Sequence, residues 1–544
     1  MTVSDLATSR LSRRRLIELT AAASSITAID RVLGPWSPQA AAAPVPMAAR
    51  RQAATPAPVT SVVADDASPA FRAVAEALAE AMAQVNLPGA ALGIMADVRE
   101  EHATFGLADV AGGEPVGDQT LFQIGSLSKT FTGTAIMRLV DQGLVDIDAT
   151  VRTYLPTFSV ADASVSERVT VRQLLTHTAG WYGDLFVDTG SGDDAGARFV
   201  DEVMPGLPQL SPLGALFSYN NTCFFVLGQI IEAVTGGTYR AAISDLVLDP
   251  LGMAESTFDP DQVMTGSYAR SYADYDGVLQ DQTLDLPRSI DAAGGLRSTT
   301  RDLMRYARFH LGDGTAEGQR LLSPYTLGLM QTSQEPVPGV PGLSIGMNWL
   351  VQEQGGVKLV SHSGDTFGHH TDFWFLPADG LAITILTNAA PGGAAAAAAA
   401  FATAAEAYPA LAPLLAPSGD SETASPATPV ATPVSATPAS TPVMGSVDTA
   451  AYVGRYERPD AVFTIAPQGD GLVMKIETIT LPEAFEPAVG QELPSDLPVE
   501  LVGPDVAALT VLGQAIPLPF IRRPDGDVGY IGFSLRLVPR TGDA

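Results

Sequence analysis

Lysine is the scarcest charged residue in this 544-residue chain. Three of its 31 basic residues, Lys129, Lys358 and Lys475, are lysine, and the other 28 are arginine. A positive charge that any cation can supply is arginine here, so a lysine marks a position that arginine cannot serve. Arginine stays protonated, whereas a buried lysine can release its proton and act as a base. Positive charge is short as a whole: 60 acidic residues leave a net charge of −29. Such a surface excludes nucleic acid and anionic membrane as partners, because phosphate binding needs clustered Lys and Arg. The single cysteine, Cys223, excludes an internal disulfide and cannot build a zinc site alone. Long apolar runs are missing too, so no membrane-spanning helix is expected.

The chain is too long for one core and implies two folded units with connecting tracts. Its first 43 residues read as an export signal. Ser12-Arg13-Arg14-Arg15-Leu16-Ile17 resembles the twin-arginine consensus, with Glu18 where lysine is common. A modest apolar stretch follows to Ile29, broken by Glu18, Thr20 and Ser24, and then small residues Ala40 to Ala43 that suit a signal peptidase. A secreted protein is therefore expected, exported already folded by the twin-arginine route. Residues 44–65, rich in Ala, Pro and Thr, read as a flexible tether.

Order is expected from Ser68-Pro69, an N-cap followed by proline at the first helical position. That helix runs to about Gln84 and breaks at Pro88-Gly89. Two strands follow, Ala91 to Ala96 and Ala103 to Ala108. Helices are expected over Phe131 to Gln142, Val169 to Leu175, Phe224 to Val234 and Thr299 to Leu311. Thr371 to Leu376 and Leu381 to Thr387 alternate as a hairpin around Pro377-Ala378-Asp379-Gly380, and the Ala-rich run 394–407 reads as a closing helix. Strands at both ends with helices between predict an α/β (α+β) unit over 66–408. Its antiparallel sheet is shared by the two termini, flanked by helices and joined by a helical subdomain. A Pro/Ala/Thr/Ser-rich linker, 409–446, leads to 447–544, whose short apolar runs between turns predict a small all-β, barrel-like domain. That last domain carries no catalytic constellation of its own in the sequence.

Three motifs occur in order. Ser126-Leu127-Ser128-Lys129 puts a serine and a lysine three apart, on one helix face about one turn from each other. Tyr219-Asn220-Asn221 precedes an apolar helix, and His362-Ser363-Gly364 opens the segment that leads into the hairpin. The first pairing is the geometry of a serine nucleophile with a lysine proton acceptor. His177 reads as structural. His369-His370 lacks a spaced Cys/His/carboxylate set, so neither a metal nor another cofactor is expected.

With these motifs in this order, the chain resembles the serine β-lactamase and penicillin-binding-protein-like hydrolases, nearest the class C and D-aminopeptidase branch. Val171 to Gly180 and Ala293-Gly294-Gly295 resemble further stretches of that family, and the C-terminal module is similar to the lipocalin-like domains of some members. The resemblance implies that Ser126 is acylated, that Lys129 takes its proton, and that Tyr219 relays a proton to the leaving group and to the deacylating water. Asn221 would orient Lys129 and the substrate, and backbone N–H groups of Ser126 and Asp365 would form the oxyanion hole. Gly364 would let substrate lie against the edge strand, while the Asp365 side chain would add negative charge nearby. The departure is His362, where β-lactamases of this type generally carry lysine. Histidine offers its charge only when protonated, so esters, D-amino-acid peptides or related amides are expected ahead of β-lactams. The partner expected is a small-molecule or peptide substrate; the C-terminal domain is a candidate either for joining copies of the chain into a homo-oligomer or for anchoring to a surface.

Overall fold

The computed structural model describes residues 59–259, 267–275, 278–282, 286–390, 392–415, 449–469, 471–478, 496–511 and 514–543. The expected export signal (1–43), most of the first tether, residues 416–446 of the linker and the first two residues of the expected C-terminal domain lie outside them. The chain enters as an edge strand, β1 (Ser61–Val63), so the tether read from composition ends in ordered pairing. Helix α1 (Pro69–Gln84) starts where its cap chemistry dictates: the Ser68 hydroxyl accepts the Phe71 N–H at 3.2 Å. Its buried face, Phe71, Val74, Ala75, Leu78 and Met82, follows the helical period. Strands β2 (Gly89–Ala96) and β3 (Arg99–Asp109) come next, followed by helices α2 (Ser128–Asp141), α3 (Val171–Leu175), α4 (Thr222–Thr235) and α5 (Thr300–Leu311). The chain then returns to the sheet through β4 (Leu343–Ile345), β5 (Leu350–Gln354), β6 (Val357–Asp365), β7 (His370–Leu376) and β8 (Leu381–Thr387), and α6 (Gly392–Ala407) closes the unit.

The sheet runs β1-β3-β2-β8-β7-β6-β5-β4 with antiparallel neighbours, as the sequence reading expected. β2 from the start of the unit pairs with β8 from its end, Ala90 opposite Thr387. β8 is buried along its whole length because both faces are covered. Leu381, Ile383 and Ile385 face the core under α1 and α6, while Ala382 and Leu386 face the core shared by α2, α4 and α5. A separate closed barrel of eight strands, Gly454 to Gly542, forms the C-terminal domain around Tyr456, Phe463, Leu509 and Val538. No helix among the described residues is long and apolar enough to cross a membrane.

β7 carries a buried charge worth testing. His370 gives Nδ1 to Asp365 at 2.8 Å and Nε2 to Asp372 at 3.0 Å. Burial opposes its charge, but the two carboxylates outweigh burial and raise its pKa to about 9. The folded value lies above the ordinary 6.5, so this stabilisation is fully present below pH 6.5 and is lost as pH rises through about 9. A loss of roughly 3 kcal/mol is expected across that window. Urea unfolding from pH 6 to 10 would show it, and His370→Gln should flatten the slope; a wild-type midpoint that stays level would rule the linkage out.

Candidate active site

Ser126 sits in a tight turn, Gly125–Leu127, that runs directly into α2. Gly125 has φ of +51°, a left-handed conformation that glycine adopts at no steric cost. A β-carbon there would stand 2.6 Å from both the backbone N and O of Asp365. The next strand residue back is held as closely: a β-carbon on Gly364 would meet the Ile124 carbonyl oxygen at 1.8 Å. Both glycines thus exist so that β6 can abut the serine turn. The missing side chain of Gly364 makes room for the protein's own backbone. The same contact brings the Asp365 amide beside the serine turn.

Lys129 is fully buried. Its Nζ lies 2.9 Å from Ser126 Oγ and 2.8 Å from the carbonyl oxygen of Ala293. That carbonyl belongs to the short helix Asp291–Gly294, so the glycine-rich stretch noted in the sequence supplies a rest for the amine. Ser128 fixes the same stretch from below, accepting the Leu296 N–H at 3.1 Å. These two partners of the amine, a hydroxyl and a backbone carbonyl, are neutral.

The Tyr219 ring lies against Lys129, with Nζ 5.1 Å from its centroid. His177 stacks on that ring, centroids 4.6 Å apart and 19° from parallel. Although fully buried, His177 adopts a left-handed φ of +54°, and its Nδ1 accepts the Asn220 N–H at 2.9 Å. Burial, with Lys129 next, holds its pKa well below the ordinary value, so it is a neutral support for the tyrosine motif. Asn220 completes the support, donating to the Trp181 carbonyl at 2.8 Å and accepting the Cys223 N–H at 3.0 Å. Asn221, at the entrance to α4, gives its amide N–H to Asp184 at 2.8 Å.

His362 lies 6.2 Å from Tyr219, ring to ring. It is buried, and its Nδ1 is 2.6 Å from the Ser363 carbonyl, which makes Nδ1 the protonated nitrogen. Nε2 therefore carries the lone pair, and it has no hydrogen-bond partner among the described residues. Burial first, and Lys129 second, push the His362 pKa down to about 3. It is neutral throughout the physiological range. The Asp365 carboxylate, expected to add negative charge to the site, is instead occupied by His370. No group of His, Cys, Asp and Glu suited to a metal ion occurs among the described residues.

A family model described as "Beta-lactamase" matches residues 74–408. The chain belongs to the beta-lactamase family. It is 34% identical over 313 residues to "Penicillin-binding protein 4" of Amycolatopsis lactamdurans, covering 56% of this chain and 81% of that protein. It is 34% identical over 166 residues to "Esterase EstB" of Burkholderia gladioli, covering 28% of this chain and 42% of the esterase. Among solved structures it is similar to SurE, with a TM-score of 0.65 and 25% identity over 87% of this chain and 99% of SurE. A class C beta-lactamase shares the fold at a TM-score of 0.53 and 21% identity, over 62% of this chain and 96% of that one. The family member described here is thus a serine hydrolase of the β-lactamase and penicillin-binding-protein kind, with a barrel added beyond the matched residues.

The barrel touches the site, which the sequence did not reveal. Its Arg536 reaches buried Asp184 at 2.8 and 3.1 Å, and its Arg458 stands 3.7 Å from the same carboxylate. Burial alone would raise the Asp184 pKa, but the two arginines and Asn221 outweigh it and hold the carboxyl below its ordinary value. No short motif links residues 184, 458 and 536, so pattern reading had nothing to find.

Proposed function

We propose that this protein is a secreted serine hydrolase that works through an acyl-enzyme on esters, D-amino-acid peptides or related amides. One observation carries the reading: a fully buried amine lies 2.9 Å from the Ser126 hydroxyl. Lys129 takes the hydroxyl proton as Oγ attacks the substrate carbonyl, forming the C–O bond of a tetrahedral intermediate. Backbone N–H groups of Ser126 and Asp365 receive the oxyanion. Tyr219 passes a proton to the departing alcohol or amine, the C–O or C–N bond breaks, and water then cleaves the Ser126 ester. Asn221 and the neutral Nε2 of His362 offer hydrogen bonds to substrate. The twin-arginine-like start supports secretion, and a relative described as an octameric penicillin-binding protein homologue from Pyrococcus abyssi supports self-association.

The neutral His362 supports the substrate preference. A β-lactam presents a carboxylate that a permanent cation at this position would bind, and a charge-assisted bond of that kind contributes about 10-fold to 10²-fold. In a panel of p-nitrophenyl esters, D-alanyl peptides and nitrocefin, kcat/KM for nitrocefin should trail the best ester or peptide by at least that margin. Nitrocefin as the best substrate would reverse the preference. The likeness to a penicillin-binding protein favours a second reading, in which Ser126 acylates and deacylates slowly. Intact mass spectrometry separates the two: a persistent adduct marks the slow form, and product accumulation without adduct marks turnover.

A further inference from the structure

The tip of one barrel hairpin lies on the tyrosine motif. Phe533 and Arg536 pair across a two-residue turn, Ser534-Leu535, in which both residues have positive φ, +50° and +64°. A turn of that shape is usually built from Asn-Gly, and leucine in the left-handed region is strained. Strained non-glycine backbone persists where its surroundings hold it. Here they do so at three successive points. The Leu535 carbonyl accepts the Tyr219 N–H at 2.9 Å, and the Leu537 N–H donates to the Ser218 hydroxyl at 3.1 Å. The Leu535 side chain packs into an apolar cluster with Phe217, Tyr219 and Val337.

Arg536 then folds back over the ring. Its guanidinium carbon stands 4.8 Å from the Tyr219 centroid while its nitrogens bind Asp184, the carboxylate that also holds Asn221. The side chains of Arg536 and Asp184 are 11% and 3% exposed, so water screens this pair little. We propose that Arg536, delivered by the barrel, is a positioning residue for Tyr219 and Asn221, so that the catalytic site is completed by the C-terminal domain. The proposal rests on the reading of Tyr219 as a proton carrier. A cation over the ring favours the deprotonated phenol, and the groups facing that ring are Arg536 from the barrel, Lys129 from α2, His362 from β6 and His177 from the turn after α3. Both histidines have lowered pKa values. The charge that substitution of Arg536 removes is therefore not replaced by either of them.

The test compares wild type, Arg536→Met, Arg536→Lys and the double variant Asp184→Asn/Arg536→Met, all as full-length protein. The double variant removes the buried pair together and strands no carboxylate, which guards against a simple folding defect. Loss of the guanidinium should lower kcat on the order of 10²-fold, the cost of misplacing a catalytic group by about an ångström, with KM changed far less. One limb of the kcat–pH profile should also move to higher pH by roughly half a unit or more, and Arg536→Lys should move it part of the way back. Fluorophosphonate labelling of Ser126 should persist, only slower, in every variant. A double variant with wild-type kcat and pH profile overturns the proposal. So does a fall in kcat that Arg536→Lys shares in full with no movement of either limb, because Arg536 is then a fastener between domains and nothing more. Failure of wild type itself to label would strike the serine-hydrolase reading instead.

Discussion

Ser126→Ala is expected to abolish labelling by a fluorophosphonate or a fluorescent penicillin and to lower kcat by on the order of 10⁵-fold or more. Removing the nucleophile of an acyl-transfer unit costs about as much as removing the whole unit, because lysine and tyrosine have no proton to move without it. The fold should not notice. Ser126 is partly exposed, and its hydroxyl accepts a hydrogen bond from Lys129. Deleting a single oxygen at such a position changes stability within about 1 kcal/mol. Thermal melts of the two proteins should therefore coincide while labelling differs completely. Equal labelling of wild type and variant would mean that another residue is acylated.

Lys129→Arg should be nearly as damaging, for a different reason. The substitution preserves the charge and the ability to donate hydrogen bonds, so an electrostatic role alone would survive it. A guanidinium does not deprotonate, and a general base contributes about 10²-fold to 10⁴-fold to a rate, so a loss of that size in kcat is expected. The site adds to the effect. The amine rests between Ser126 Oγ and the Ala293 carbonyl, against the Tyr219 and Phe224 rings, a place shaped around a compact ammonium and not around a planar fork. Lys129→Met, of similar length and uncharged, separates loss of the base from the strain of burying a permanent cation. Both variants should fold, and both should be slow. An active Lys129→Arg protein would refute the base role.

What the sequence disclosed follows from how local each signal is. The cap at Ser68-Pro69, the alternation in 381–387 and the periodic face of 300–311 depend on neighbours within a turn or two, and each element appears where its pattern placed it. The pairing of Ser126 with Lys129 was legible for the same reason, since helical geometry alone puts the two tips on one face. Gly364 was recognised, but its steric part in the fold was not. Its empty β-position faces Ile124, some 240 residues earlier in the chain, and no local pattern reports that approach. Asp184 and Arg536 were invisible for a stronger reason. They come from different domains, and in a chain with 28 arginines and 60 acidic residues neither stands out until folding sets them 2.8 Å apart. His177 read as a structural residue, and its neutral, buried contact with Tyr219 adds a second support that only coordinates could supply.

The joining of β2 to β8 has a bearing on how the molecule is made. Ala90 meets Thr387 across about 300 residues of chain, so the middle of the sheet cannot zip until synthesis has passed the last strand. Until then β2 presents a raw edge to the ribosome exit and to any neighbour able to pair with it. Growing chains of this hydrolase should need a chaperone's cover for most of their translation, and ones cut short before residue 381 should be sticky fragments with no hydrolytic power.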